Sequence, residues 1–169
     1  NTCVTCGTSL AQRGGSYLFM RYLYEQGEQG NLSGVTSGKE FLQNMVQSDQ
    51  RGIDNVVQAA FGSEGTEADF HNIFGMFGLA IYLSNTDQVS DDRLEFLGVD
   101  LRATQDDNRG TVLNGPAIQE AGSIPYLDTI SGNTINFIQL NGEDIVDAGG
   151  SLEVEVGSDD VDLKAYLVF

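Results

Sequence analysis

Apolar side chains recur with a helical period through the first half of the chain. Residues 16–24 are apolar on most faces, which is typical of a buried helix. Ser37, followed three residues later by Glu40, has the spacing of a capping box and precedes a second apolar stripe. Its members lie at i, i+1, i+4 and i+5 and are Phe41, Leu42, Met45 and Val46.

Two more helical stripes follow. The third is short, and Gly62 is placed to end it; its apolar residues are Ile53, Val56, Val57, Ala60 and Phe61. The fourth follows Thr66, which with Asp69 forms a second, weaker cap. Its apolar face consists of Phe70, Ile73, Phe74, Phe77 and Ile81. Residues 11–85 are therefore predicted to be helical, and this last stripe is predicted to be core.

The pattern changes from about Arg93 onwards. Short apolar stretches separated by turn signals such as Asn114-Gly115 and Asn141-Gly142 favour strands. The candidate strands lie at 94–97, 135–138, 152–156 and 162–169, and the last two read as a hairpin. Helices followed by strands predict an α+β chain. We expect a helical subdomain over 1–88 and an antiparallel β-sandwich-like subdomain over 89–169.

The charge balance excludes some partners. Asp and Glu total 25 against 8 Lys and Arg, a net charge of -17. Nucleic acid is excluded because its binding requires neutralisation of phosphates, and anionic membrane surfaces are disfavoured for the same reason. No apolar run reaches the ~20 residues that cross a bilayer. The charge either keeps the protein soluble in salty surroundings or binds Ca²⁺.

Two acidic loops are the candidate Ca²⁺ sites, because short oxygen-rich loops can surround a hard cation. One contains Asp106 and Asp107, next to Asn108, and the other contains Asp159, Asp160 and Asp162. Neither has the spacing of an EF-hand loop. Solvated turns remain the alternative, since turns favour Asp.

The cysteines lie close together, at Cys3 and Cys6. A complete zinc ribbon would need further Cys or His ligands, and His71 is the single histidine of the chain. We therefore predict that both cysteines form disulfides, with each other or with another cysteine.

Complete catalytic motifs are missing from the sequence. One histidine cannot form H-E-x-x-H, and there is no nucleophile elbow and no G-x-x-x-x-G-K-[ST] loop. His71 is interpreted as a structural histidine at a helix interface. No catalytic residue is assigned, and the chain alone is predicted to be inactive.

Residues 12–25 carry a resemblance to a known family. They contain a run of small residues followed by Tyr-Leu-Phe-Met-Arg-Tyr-Leu-Tyr. This segment resembles the helix that follows the zinc-binding helix in gluzincin metallopeptidases, especially the hyicolysin-like secreted ones. Residues 39–48, 53–61 and 70–83 resemble the next helices of that group. The resemblance implies that the small-residue start packs close to the active-site cleft and that a β-module follows.

The resemblance also implies that the zinc ligands precede Arg13, in a segment that this sequence does not contain. The chain is then the non-catalytic C-terminal part of a secreted peptidase, with the upstream segment as partner and zinc as that segment's metal. The alternative is an extracellular structural or binding protein, self-assembling or binding Ca²⁺ or glycans. Both interpretations place the chain outside the cell or on its surface.

Overall fold

The computed structural model describes residues 2–3, 10–104, 112–121, 134–140 and 166. Its helices are α1 (Leu10–Glu28), α2 (Gly38–Gln47), α3 (Gly52–Phe61) and α4 (Glu67–Leu83). Its strands are β1 (Thr2–Cys3), β2 (Ile118–Glu120), β3 (Thr134–Ile135) and β4 (Phe137–Gln139). The prediction of helices over residues 11–85 is confirmed.

Local hydrogen bonds explain where the helices begin. Ser37 Oγ accepts the backbone N–H of Glu40 at 3.1 Å, as the sequence predicts. At α4 the capping box is complete, because Thr66 and Asp69 each accept the other's backbone N–H. The hydroxyl and backbone N–H of Thr66 hold the pKa of the Asp69 carboxyl below its usual value. The cap at Thr66, which the sequence predicts to be the weaker of the two, therefore has both hydrogen bonds of a capping box.

The core lies between the four helices. Its largest fully buried side chains include Tyr22 and Leu23 of α1, Phe41 of α2, and Phe70 and Phe77 of α4. Small residues of α3 complete it, namely Val56, Val57, Ala59 and Ala60. The predicted α4 stripe is therefore core, although its members Phe74 and Ile81 are only half-buried. In α2 the predicted stripe divides, since Leu42 and Val46 are exposed.

Helices α1 and α2 approach each other closely at Gly38. A side chain there would meet the backbone carbonyl of Tyr24, so only glycine permits this distance. Glu28 of α1 reinforces the contact, because its Oε1 accepts the backbone N–H of Gly38 at 2.9 Å and that of Lys39 at 3.3 Å. The carboxylate of α1 therefore caps the positive end of α2.

The predicted antiparallel β-sandwich-like subdomain over 89–169 is wrong. The described residues are mostly helical, and their strands are two or three residues long. Strand β2 pairs with β4 in parallel, with Ile118 opposite Phe137. Strand β1 pairs antiparallel with β3 and comes from the N-terminus. The candidate strands at 152–156 and 162–169 lie outside the described residues, apart from Tyr166.

Residues 94–97 show why the strand pattern misled. Asp92–Leu94 form a 3₁₀ turn, and Phe96 is buried against Tyr22 and Phe77 of the helical core. The backbone N–H of Phe96 donates to Ser84, directly after α4, and that of Leu97 donates to Glu25 of α1; neither donates to a neighbouring strand. The apolar pattern indicates which side chains are buried, but it does not specify what the backbone N–H groups bind. Here they donate to side-chain oxygens, so no strand forms.

The later segments also lie on α4. The ring of Phe137 in β4 stacks on Tyr82, with centroids 6.0 Å apart. Ile135 in β3 lies opposite Gly78.

Across the described ranges, no helix combines the length and apolar character that crossing a bilayer requires. The subdomain boundary at residues 88 and 89 stays a prediction.

Candidate functional site

A buried carboxylate holds residues 91–103 against the helices. Glu25 of α1 is 5% exposed, and its oxygens accept the backbone N–H of Leu97 at 2.8 Å and that of Gly98 at 3.1 Å. Arg21, one turn earlier, donates its Nε–H to the same carboxylate at 2.6 Å. We call Glu25, Arg21, Leu97 and Gly98 the Glu25 clamp. With three donors around it, this carboxylate is placed to hold a backbone segment and not to bind a ligand.

Two neighbours of Glu25 in α1 extend the attachment. The Tyr22 hydroxyl donates to the carbonyl of Arg93 at 2.6 Å, and the side-chain amide of Gln26 donates to the carbonyl of Asp92 at 3.0 Å. Burial raises the pKa of the Tyr22 phenol well above its usual value, and the nearby Asp91 carboxylate raises it further. Tyr22 therefore serves as a neutral hydrogen-bond donor.

The C-terminal end of α4 is fixed from the same segment. Arg102 donates to the carbonyls of Tyr82 and Ser84, which lie at the negative end of the helix. The Ser84 hydroxyl, fully buried, accepts the backbone N–H of Phe96 at 2.7 Å. Asn85 adds an acceptor for the backbone N–H of Leu101. Residues 91–103 are thus attached along their length to α1 and α4.

A cavity of about 130 Å³ lies beside this attachment. Its apolar lining residues are Phe61, Ile73 and Met76, and its polar lining residues are Gln26, Asn31, Asp69, Asn72 and Arg93. Several of the polar groups already have partners. Asp69 is bonded to Thr66, and Arg93 to Asp91. The volume is that of a few water molecules, too small for a drug-sized ligand.

His71 lies on the surface of α4. Its Nε2 is 3.9 Å from the carboxylate of Glu67, one turn earlier, and its ring lies edge-on to Phe70. In the part of the chain that the structure describes, no group of three or more His, Cys, Asp and Glu side chains is placed to hold a metal ion. The interpretation of His71 as a structural histidine at a helix interface stays a prediction.

The other predicted site residues are only partly covered. Asp106, Asp107, Asp159, Asp160 and Asp162 lie outside the described residues, and their Ca²⁺ sites stay a prediction. The predicted disulfide is not supported. No disulfide is found among the described residues; the backbone of Cys3 forms part of β1, and Cys6 lies outside them.

Sequence reasoning missed the Glu25 clamp. A signal was present, because Arg21 and Glu25 have i,i+4 spacing within a helix that is apolar on most faces. A carboxylate in such a helix needs partners when it is buried. The identity of those partners depends on residues 72 and 73 positions later, which no local pattern specifies.

Three residues near the start of α1 form an exposed surface. Arg13 and Gly14 are exposed, Tyr17 is 63% exposed, and a side chain added at Gly14 would meet none of the described residues within 4 Å. Two turns further on the same helix is buried, with Tyr22 and Leu23 at 0% exposure. Another segment can therefore approach α1 closely at Gly14.

No family model, no curated protein and no solved structure matches this chain.

Proposed function

We propose that this chain is a non-catalytic part of a secreted gluzincin-type zinc metallopeptidase, where its helices support the active-site cleft. The zinc ligands and the catalytic Glu then belong to a segment outside this chain. The observation that carries the proposal is the open, small-residue start of α1 around Gly14 and Tyr17. In the family that the sequence resembles, this part of the helix packs next to the cleft.

The positions of the helices support the proposal. The four segments that resemble the peptidase helices, 12–25, 39–48, 53–61 and 70–83, coincide with α1 to α4. Much of the resemblance consists of packing residues, and the structure buries several of them, including Phe19, Tyr22 and Phe70. The positions that carry the resemblance are therefore helical and partly buried in this fold, which supports the proposal.

The attachments of α1 suit a supporting role. The Glu25 clamp, Tyr22 and Gln26 join the second half of α1 to residues 91–103. Gly38 and Glu28 join its end to α2. A helix fixed at one end and open at the other can hold a neighbouring zinc-binding helix in place without contributing a ligand.

The first experiment examines the coding region and its longest native product. We expect an H-E-x-x-H motif in frame before Asn1, and a longer product that contains zinc and cleaves a protein substrate. The chain described here, purified alone, should bind no stoichiometric zinc and cleave no peptide. A coding region without the motif would overturn the proposal, as would zinc-dependent proteolysis by the isolated chain.

The second experiment tests the surface at Gly14 within that longer product. Gly14→Leu fills the open start of α1 and is expected to lower zinc content and proteolysis together. Gln43→Leu is the matched control, because it places the same side chain on an exposed face of α2. Equal activity and zinc content in the two variants would show that the start of α1 does not face the zinc-binding segment.

The alternative, a self-assembling extracellular protein, also has a specific observation in its favour. Val46 is 86% exposed, and Leu42 lies one turn before it on the same face of α2. Burial of this pair against a second copy of the chain would remove its apolar surface from water. Sedimentation of the isolated chain and of Val46→Lys would distinguish the two functions, since only the alternative predicts a wild-type oligomer that the substitution dissociates.

A further inference from the structure

The chain contains a single sequence of the form Asn-x-Ser/Thr, at Asn31-Leu32-Ser33. Such a tripeptide is the acceptor for N-linked glycosylation in secreted proteins when it lies in a surface loop. Sequence alone does not give its accessibility, because the motif also occurs by chance in buried segments. The structure supplies that second observation.

The tripeptide lies in the connection between α1 and α2. Asn31 and Ser33 are exposed, whereas Leu32 between them is 1% exposed and part of the core. The two residues that a transferase must recognise are therefore exposed on either side of a buried leucine. Asn31 follows Gly30, which has φ +75°, and its backbone N–H donates to the carbonyl of Gln26 at 2.9 Å. The backbone N–H of Gly30 donates to the carbonyl of Gly27 at 3.1 Å, and the two bonds together form the Schellman motif that ends α1.

We propose that Asn31 is an N-glycosylation site of this protein. The inference rests on one part of the proposed function, namely secretion, and not on zinc chemistry. In the transfer, Asn31 Nδ2 forms a bond to C1 of a sugar on a lipid-linked oligosaccharide diphosphate. The bond from C1 to the diphosphate oxygen breaks, the lipid diphosphate leaves with its electron pair, and one Nδ2 proton passes to a base of the transferase.

The folded structure accommodates the product. Asn31 Nδ2 donates to Oε1 of the buried Gln26 at 2.9 Å. An amide nitrogen carries two N–H groups, and one remains after a sugar is attached. The bond to Gln26 can therefore persist in the glycosylated chain. The first sugar would lie next to the 130 Å³ cavity, which Asn31 lines together with Asn72 and Arg93.

The same geometry makes the folded chain a poor acceptor. The backbone of Asn31 is fixed by the end of α1, and its amide nitrogen is held by Gln26. A transferase must bind the tripeptide in its own active site, which the bonds to Gln26 oppose. Transfer should therefore take place before these bonds form and Leu32 is buried. The glycan is thus expected to be added to the nascent chain.

The test secretes the chain, with a cleavable leader, from a eukaryotic host that performs N-glycosylation. Intact mass should show one glycan, and amidase treatment should remove it and convert Asn31 to Asp. Asn31→Gln and Ser33→Ala should each abolish the modification, and Ser33→Thr should preserve it. Asn114→Gln is the matched control, since Asn114 is exposed in a loop but has no Ser or Thr two residues later.

Secretion of folded, unmodified wild-type chain from that host would overturn the proposal, and so would a glycan that survives Asn31→Gln. Urea unfolding of each secreted variant shows whether it is folded, so a variant lost to misfolding is recognised. The result is independent of the peptidase assignment, because a missing H-E-x-x-H motif would leave the glycan unchanged and a missing glycan would leave zinc binding unchanged.

Discussion

Glu25 and Leu97 are 72 positions apart in the chain and are joined by a hydrogen bond of 2.8 Å from the backbone N–H to the carboxylate. The bond connects α1 to a segment that has no strand partner of its own among the described residues. Because Gly98 and Arg21 donate to the same carboxylate, its removal affects three donors together.

We expect Glu25→Ala to lower the free energy of unfolding by roughly 1.5–3 kcal/mol, the range for hydrogen bonds to a charged group. Water can reach part of the clamp, since Leu97 is itself 45% exposed, and this limits the loss. Urea unfolding measures the change. Glu64→Ala is the control, because Glu64 is exposed, and it should shift stability by less than about 0.5 kcal/mol. Equal effects would mean that the clamp contributes nothing.

Two glycines are predicted to respond oppositely to the same substitution. Gly38→Ala places a methyl group against the backbone carbonyl of Tyr24, which cannot move without separating α1 from α2, so it should cost about 1–3 kcal/mol. Gly14→Ala adds a methyl group in open space within a helix and should stabilise the isolated chain by about 0.5–1 kcal/mol. Thermal or urea unfolding of both variants measures these changes. A Gly38→Ala variant as stable as the wild type would contradict the close approach at Gly38, and a destabilised Gly14→Ala variant would contradict the open space at Gly14.

The helices could be predicted from the sequence because their determinants are local. The cap at Ser37 and the glycine that ends α3, Gly62, lie within a few residues of the elements that they define. The apolar stripe of α4 likewise identified core residues such as Phe70 and Phe77. Each of these signals acts within one or two helical turns, which is the range that periodicity and capping describe.

The second half could not be predicted in the same way. The pattern at 94–97 correctly indicates that Phe96 is buried, but its backbone N–H donates to Ser84 Oγ and not to a strand. Parallel pairing of β2 with β4 also depends on contacts between distant segments. The clamp at Glu25 was missed for the same reason, because its partners follow from tertiary packing.

Position on the α4 stripe should decide the cost of truncation. Phe77 is 1% exposed and contacts Phe19, Tyr22 and Phe96, so Phe77→Ala should cost about 3–5 kcal/mol. Phe74 stacks on Phe70 but is only half-buried, and Phe74→Ala should cost less. Urea unfolding with a constant m-value compares the two. A larger loss for Phe74→Ala would show that the buried face of α4 has been misassigned.

Tyr22 should give the protein a loss of stability at alkaline pH. Burial raises the phenol's pKa in the folded state, whereas an unfolded tyrosine ionises at about pH 10. Below that pH both states keep the proton and the contribution is complete. As pH rises above about 10, the unfolded state loses its proton while the folded state retains it. The unfolded state then binds fewer protons, so the free energy of unfolding falls with increasing pH.

The substitution Tyr22→Phe removes this titration. The experiment measures the free energy of unfolding of the wild type and the variant between about pH 9 and pH 11 and compares the two slopes against pH. The variant should be less stable at neutral pH by about 1 kcal/mol, because the carbonyl of Arg93 loses its donor. Its alkaline slope should nevertheless be shallower than that of the wild type. Tyr17→Phe is the matched control, since that side chain is 63% exposed, and it should keep the wild-type slope. If both variants keep that slope, the buried phenol at Tyr22 is not the group that titrates.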